Sequence, residues 1–145
     1  MQDVSSAASD LELVSGYCDA WLAGDAIRVL SYYHDDLILE WPGRHRFAGA
    51  HSGLQASIEA LAGLQEATNR IPMEVVDLLI GSRGVAASLT ERWSRAADDG
   101  VLETLEHSRV LYFTITGGQL RTCRIYKSAQ SEVDEWLREH GQPRS

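Results

Sequence analysis

The sequence predicts an α+β domain in which helices pack on one side of a curved antiparallel sheet. Helix-type periodicity dominates the first half of the 145-residue chain, and β-rich segments separated by turn sequences dominate the second half. Helices followed by hairpin-linked strands are typical of this class. The length fits one domain, which we place at residues 9–140, with flexible ends at 1–8 and 141–145. A curved sheet with helices across it leaves a cone-shaped pocket, a common place for a small ligand.

Three helices are predicted in the first half. Ser9 and Glu12 fit a capping box at the start of the first helix, and Gly24 ends that helix. Asp25 is placed to cap a short second helix. Ser52, with a glutamine three residues later, fits the start of the third helix.

A strand is predicted between the second and third helices, within YHDDLILEWPG at Tyr33–Gly43. Alternate side chains of a strand point to opposite faces, so Leu39 and Trp41 share one face and Glu40 points to the other. The pattern alone leaves open which face looks into the protein. The two aspartates before the strand are expected to form a turn.

Four further strands and a short last helix are predicted after Pro72. The strand segments are MEVVDLLIG, GVAASLTERWSR, VLETLEHSRVLYFTI and QLRTCRIYKS. AADDG and TGG are typical of hairpin turns between them, and SEVDEWLREH fits a short helix. The predicted order is therefore helix, helix, strand, helix, four strands and a final helix.

The charge and the cysteines exclude several classes of partner. The net charge is −8, and no basic cluster is dense enough to follow a phosphate backbone, so we expect no nucleic acid partner. No apolar run reaches about 18 residues, so we expect no membrane partner, and the N-terminus shows no signal peptide. Cys18 and Cys123 lack CxxC spacing and predict buried thiols in a cytoplasmic protein. The scattered histidines lack metal-ligand spacing, so we expect neither metal nor cofactor.

This order, together with AWLAGDAIRVLSYYHDDLILEWPG, FAGAHSG and GGQLRTCRIY, resembles the NTF2-like superfamily, in particular its SnoaL-like and ketosteroid-isomerase-like branch. The resemblance covers about residues 9–130. It implies an NTF2-like cone, in which a curved antiparallel sheet and three N-terminal helices enclose a pocket. In that geometry Leu39 and Trp41 face the cone, Glu40 points away, and the carboxylates of this segment are structural. The superfamily includes isomerases, polyketide cyclases, dehydratases, epoxide hydrolases and members with no activity, so fold alone does not give the reaction.

The resemblance to ketosteroid isomerases keeps one catalytic position of three. Those enzymes use a tyrosine and a protonated aspartate as an oxyanion hole, and a second aspartate moves the proton. Tyr17 matches the tyrosine, but Trp41 stands at the proton-shuttling aspartate and Arg109 at the oxyanion aspartate. Steroid isomerase chemistry of that type is therefore disfavoured.

Two other branches are matched only in part. Epoxide-hydrolase relatives use an arginine and two aspartates, and this chain keeps Arg92 but has Ser94 and Ile125 at the aspartates, so epoxide hydrolysis is disfavoured. Scytalone-dehydratase-like members use a helix acid and a strand histidine, to which Asp19 and His107 are loosely similar.

Four residues are predicted to be catalytic. His107 and Arg109 share a strand face, where imidazole moves a proton near pH 7 and guanidinium binds a carboxylate, a phosphate or an enolate oxygen. The alternative is a salt-bridged surface, because Glu103 lies on that face. Tyr17 is either a hydrogen-bond donor to a ligand or a core aromatic residue. The apolar pattern directs Arg92 outward and the resemblance directs it inward; a β-bulge would reconcile the two, and we expect it inward.

We expect Trp21, Trp41, Trp93 and Cys123 to form the apolar wall for the substrate. The predicted function is cofactor-free acid–base chemistry (cyclase, isomerase or dehydratase) on a small hydrophobic molecule. One alternative is a non-catalytic binding or accessory domain, because the carboxylate sets are missing. Another is a dimerisation module with a vestigial pocket. Apolar residues on both sheet faces predict a homodimer through the outer face.

Overall fold

The helices and strands follow one another closely along residues 4–140, which a computed structural model describes, with side chains from 7 to 138. The described elements are, in chain order, α1 (Val4–Ala23), α2 (Ala26–Ser31), β1 (Tyr33–Trp41), β2 (Gly49–Ser52), α3 (Leu54–Thr68), β3 (Ile71–Ile80), β4 (Val85–Ala96), β5 (Leu102–Thr116), β6 (Gln119–Lys127) and α4 (Gln130–His140). The predicted α+β class is confirmed. None of these helices is both long and apolar enough to cross a bilayer.

The sheet is mixed rather than purely antiparallel. Its strands lie in the order β2-β1-β6-β5-β4-β3, and β1 pairs with β6 in parallel while the other pairs are antiparallel. Between β1 and β6 the chain forms β2, α3, β3, β4 and β5, and β6 then lies beside β1 and runs in the same direction. The strand β2 is missing from the predicted order of elements, because GAHS is short and lacks the apolar alternation of a strand.

Gly24 and Asp25 separate the first two helices as predicted. Gly24 has φ +69°, a left-handed conformation that favours glycine. The Asp25 carboxylate accepts a hydrogen bond from the Arg28 backbone N–H at 3.1 Å, which satisfies one of the free donors at the start of α2.

Two predicted helix starts are wrong. The helix α1 extends back to Val4, so Ser9 lies inside it and residues 4–8 are helical rather than loose; residues 1–3 and 141–145 lie outside the described part of the chain. Ser52 belongs to β2, and Gly53 is the N-cap of α3 without a side-chain cap hydrogen bond. In both cases the sequence contains a capping-box pattern, but the helix does not begin there.

The helices α1 and α3 cover the inner face of the sheet and enclose the core. Leu37, Leu39 and Trp41 are buried on that face of β1, whereas Glu40 lies on the outer face, where Arg124 Nη2 is 3.2 Å from its Oε2. The apolar face of this strand therefore looks inward, as predicted. The two aspartates are exposed as expected, but they belong to β1 rather than to a turn.

The outer face of the sheet carries half-exposed apolar side chains. Val110 and Tyr112 of β5 and Tyr126 of β6 lie there, and Tyr126 is 50% exposed. They line a shallow depression of about 540 Å³ that includes Ile38. This face is open in the single chain.

Candidate functional site

The strand β4 directs Glu91 into the cone and Arg92 out of it. Buried and less buried side chains alternate along this strand, and its pairing with β5 runs without a register shift. Arg92 is exposed on the outer face, where its Nη2 donates to Glu106 Oε1 at 2.7 Å. The expectation that Arg92 faces inward is wrong, because no bulge reverses the alternation of the strand.

Five buried side chains form what we call the charged cluster: Arg70, Glu91, His107, Arg109 and Lys127. Lys127 Nζ donates to Glu91 Oε1 at 2.8 Å, and His107 Nε2 lies 3.1 Å from the same oxygen. The Nε atoms of Arg109 and Arg70 lie 3.5 Å from Glu91 Oε1 and Oε2 respectively. No side chain of the cluster is more than 4% exposed. One carboxylate thus contacts three cations and an imidazole out of contact with bulk water.

The register of the sheet brings these residues together. Glu91 of β4 is paired with His107 of β5, and Arg109 of β5 is paired with Lys127 of β6. Arg70 lies directly before β3, next to the residue that pairs with Arg92. Neighbouring strands therefore present the cluster at one level of the inner face.

Two tryptophans form the aromatic part of this site. The Trp93 ring meets the His107 ring edge-on at 4.8 Å, and Lys127 Nζ lies 5.0 Å from the Trp93 centroid. The guanidinium carbons of Arg70 and Arg109 lie 4.5 and 5.7 Å from the Trp21 centroid. Aromatic faces attract cations, so these rings offset part of the cost of burying positive charge.

Burial and mutual contact shift the pKa values of the cluster. Burial, helped by repulsion from Arg109, lowers the pKa of Arg70 to about 10. Burial also lowers the pKa of Lys127 to about 8, although Glu91 opposes the change. Burial alone would raise the pKa of Glu91, but Arg109, Lys127 and the other cluster members hold it well below its usual range. The carboxylate is therefore ionised, and Lys127 loses its proton at a lower pH than an exposed lysine does.

A cavity of about 430 Å³ lies between α1, α2, α3 and the start of β3. Most of its wall is apolar and includes Ala20, Val29, Leu30, Ile58, Leu61 and Pro72. Trp21 and Arg70 also line it. Arg70 belongs to the charged cluster, and the Trp21 ring contacts the guanidinium groups of Arg70 and Arg109, so the cavity adjoins the cluster here.

Tyr17 lies in the core rather than at a pocket rim. Its hydroxyl is 2.6 Å from that of Tyr33, and its ring packs edge-on against Phe113. Burial and the neighbouring Tyr33 raise the pKa of Tyr17 well above its usual value. Its ring also contacts Trp21, with 6.3 Å between centroids, which places it behind the cavity wall.

The expected apolar wall is dispersed. Trp21 lines the cavity and Trp93 belongs to the surroundings of the cluster. Trp41 faces inward, but it packs against Phe47 and His51 and does not line the cavity. Cys123 is a buried free thiol on β6, and burial raises its pKa to about 12.

Sequence reasoning brought His107 and Arg109 together but missed Arg70, Glu91 and Lys127. Glu91 was detectable, because it interrupts the apolar face of β4. Lys127, the only lysine in the sequence, follows two inward positions of β6 at the right spacing. No sequence pattern indicated Arg70, because it lies between α3 and β3, outside any helix or strand. Within the described residues no three His, Cys, Asp or Glu side chains come together as metal ligands.

Comparisons with known proteins give the fold. No protein-family model matches the sequence, and no curated protein matches it. A protein of unknown function with a cystatin-like fold from Xanthomonas campestris is similar at TM-score 0.78 and 24% identity, over 88% of this chain and 96% of that chain. An NTF2-like protein from Burkholderia xenovorans LB400 is similar at TM-score 0.67 and 18% identity, over 88% and 96%.

A third solved structure carries a functional description. It is a putative SnoaL-like polyketide cyclase from Jannaschia sp. CCS1, similar at TM-score 0.70 and 19% identity, over 92% of this chain and 95% of that chain. Together these likenesses show that the chain has the NTF2-like, cystatin-like fold. The resemblance seen in the sequence is confirmed at the level of fold.

Proposed function

We propose that the chain is an enzyme of SnoaL-like type that carries out cofactor-free acid–base chemistry on a small, largely hydrophobic molecule. The molecule binds in the cavity between α1, α2 and α3, its reacting end extends past Arg70 and Trp21 into the charged cluster, and His107 transfers the proton. The observation that carries this proposal is the buried imidazole itself. Its Nε2 lies 3.1 Å from Glu91, and its Nδ1 is buried without a hydrogen-bond partner in the described structure.

Glu91 is a positioning residue for His107. When Nε2 carries the proton and faces the carboxylate, Nδ1 holds the lone pair and is able to accept a proton. The ionised carboxylate then stabilises the imidazolium that forms. A buried base oriented by a carboxylate is a recurrent arrangement for proton transfer.

Arg70 and Arg109 supply the complementary positive charge. Removal of a proton next to a carbonyl group places negative charge on the carbonyl oxygen, and fixed cations in a water-poor site stabilise that charge strongly. The proton is returned from His107 at a different atom of the substrate, or it assists departure of a hydroxyl group. Isomerisation, cyclisation and dehydration share these steps, and the name of the Jannaschia structure supports cyclisation among them.

A non-catalytic binding domain is the second candidate. It is favoured by the position of His107 and Glu91, neither of which lines the cavity. A ligand confined to the cavity as it stands meets Arg70, the one member of the charged cluster in its wall. A dimerisation module with a vestigial pocket fits less well, because about 430 Å³ lies within the range of ordinary ligand sites.

Solvent deuterium exchange separates the enzyme from the binding domain. A panel of small hydrophobic ketones and 1,3-diketones is incubated with the protein in D₂O, and loss of the α-proton signals is followed by NMR. We expect faster exchange for at least one compound, and a loss of roughly 10²-fold or more in His107→Gln. His34→Gln, which alters a histidine on β1 away from the cluster, is the control. Compounds that bind but show no exchange above buffer would favour the non-catalytic candidate.

We also propose a homodimer through the outer face of the sheet. The half-exposed Val110, Tyr112 and Tyr126 support it, because large apolar sheet surfaces are usually covered. A cytoplasmic setting is proposed as well. It is supported by the two buried free thiols, Cys18 and Cys123.

A further inference from the structure

The charged cluster has more positive than negative charge. Arg70, Arg109 and Lys127 all contact Glu91, which is the only buried carboxylate among the described residues. With His107 neutral, two positive charges have no buried counter-charge. Buried charges are normally paired, so this excess is costly unless something else neutralises it.

The two arginines also keep unused hydrogen-bond donors. Nε and Nη1 of Arg70 and Nε of Arg109 are buried and have no hydrogen-bond partner in the described structure. Their 3.5 Å contacts with Glu91 are ion pairs too long for good hydrogen bonds. The Arg70 side chain is only 1% exposed and that of Arg109 only 4%, so water does not satisfy these donors freely. Buried donors without an acceptor are rare in folded proteins, so we expect a bound group to accept hydrogen bonds from them.

One of the two arginines, Arg70, borders the cavity, whereas Arg109 does not line it. Arg70 forms part of the cavity wall, and Trp21, which also lines the cavity, faces both guanidinium groups. The rest of the wall is mostly apolar, with Gln65 as a further polar side chain. An occupant that suits this site therefore has an apolar body and one anionic end.

We infer that the ligand of this cavity is an organic acid whose carboxylate is bound by Arg70, with Arg109 adding positive charge nearby and the apolar body of the ligand between α1, α2 and α3. The inference rests on the proposed function in taking this cavity as the substrate site, and it names the substrate class. Planar guanidinium groups match the two oxygens of a carboxylate. A phosphate monoester has a third oxygen to satisfy, for which the described wall offers little beyond Gln65.

Paired probes test the anionic end directly. Binding of 2-naphthoate and of 2-naphthamide, which keeps the ring but not the charge, is measured by isothermal titration calorimetry. The acid is expected to bind at least roughly tenfold more tightly than the amide. Arg70→Met should weaken the acid by at least roughly tenfold and leave the amide within about twofold. Arg92→Met, which removes an exposed arginine of the outer face, should change neither.

The melting temperature of Arg70→Met shows whether Arg70 is needed for folding or for ligand binding. Arg70→Met removes a buried charge without a full partner, so its melting temperature should stay within a few degrees of the parent protein or rise. Equal binding of acid and amide would overturn the inference, as would absence of binding by both at about 1 mM, or tighter binding of 2-naphthyl phosphate than of 2-naphthoate. The comparison of acid with amide on the parent protein decides the matter even where Arg70→Met does not fold.

The two proposals fail on different results. Acids that bind through Arg70 without any deuterium exchange in any compound would end the enzymatic proposal and leave the anionic ligand class standing. Exchange in neutral ketones, with no preference for acids over amides, would end the inference and leave the enzyme standing.

Discussion

Glu91→Gln is the substitution with the largest expected effect on stability. The glutamine keeps nearly the same size but removes the charge that contacts three cations. Lys127 Nζ would lose a charged partner at 2.8 Å, and the two arginines would lose theirs at 3.5 Å. His107 Nε2 would lose a carboxylate at 3.1 Å.

The expected cost follows from these contacts. Breaking a buried ion pair by removing one partner typically costs about 3–5 kcal/mol, since the remaining charge stays buried and unpaired. For a chain of 145 residues this corresponds to a fall in melting temperature of roughly 10–20 °C. The low pKa of Glu91 makes its contribution present above the ordinary glutamate pKa and lost as the pH falls toward the lowered value. The difference between the two proteins should therefore shrink in acid.

Urea unfolding at neutral pH measures this cost, and Glu106→Gln is the matched control. Glu106 also pairs with an arginine, at 2.7 Å, but that pair lies on the outer face with side chains 56% and 44% exposed. Exposed pairs contribute about 0–1 kcal/mol, so the control should unfold almost as the parent protein does. Equal effects of the two substitutions would refute the view that Glu91 holds a buried set of cations.

Further measurements address individual groups. Because Lys127 is the only lysine, lysine labelled with ¹³C at Cε should give one NMR signal from this chain, titrating near pH 8; a midpoint near the ordinary 10.5 would contradict its burial beside Arg109. Between pH 8 and 10.5 Lys127 is more protonated in the unfolded chain than in the folded one, so its contribution to the free energy of unfolding should rise with pH. Burial raises the pKa of Cys18 to about 11 and that of Cys123 to about 12, so a disulfide reagent at about pH 8 should modify them only on unfolding. Sedimentation should show a dimer that Tyr112→Glu dissociates, and a monomeric parent protein at micromolar concentration would reject the outer-face interface.

The alternation of apolar and polar residues along a strand predicts which of its side chains share a face. In β1 the alternation put Trp41 and Glu40 on opposite faces, and the resemblance to the NTF2-like superfamily correctly placed Trp41 inside. The same alternation in β4 correctly directed Arg92 outward, and the prediction failed where a distant resemblance was allowed to override it. In β4, a regular strand, the local pattern was the stronger evidence.

The alternation along single strands could not predict which residues form the charged cluster. It depends on the register between three strands and on Arg70, which precedes a fourth strand. A charged residue on an apolar strand face, such as Glu91, indicates that counter-charges lie nearby, but not which ones. The cavity likewise depends on how α1, α2 and α3 pack, so Trp21 lines it and Trp41 does not. Tertiary packing decides both outcomes.

The indole N–H signals of the tryptophans report most directly where an organic acid binds. Trp21 lines the cavity beside Arg70, whereas Trp41 packs against Phe47 and His51 elsewhere in the core. In a ¹⁵N–¹H titration with 2-naphthoate, the signal that disappears in Trp21→Phe should shift most, and that of Trp41 should stay in place. Saturable shifts that leave Trp21 unmoved would place the ligand outside the cavity and contradict the account of this site.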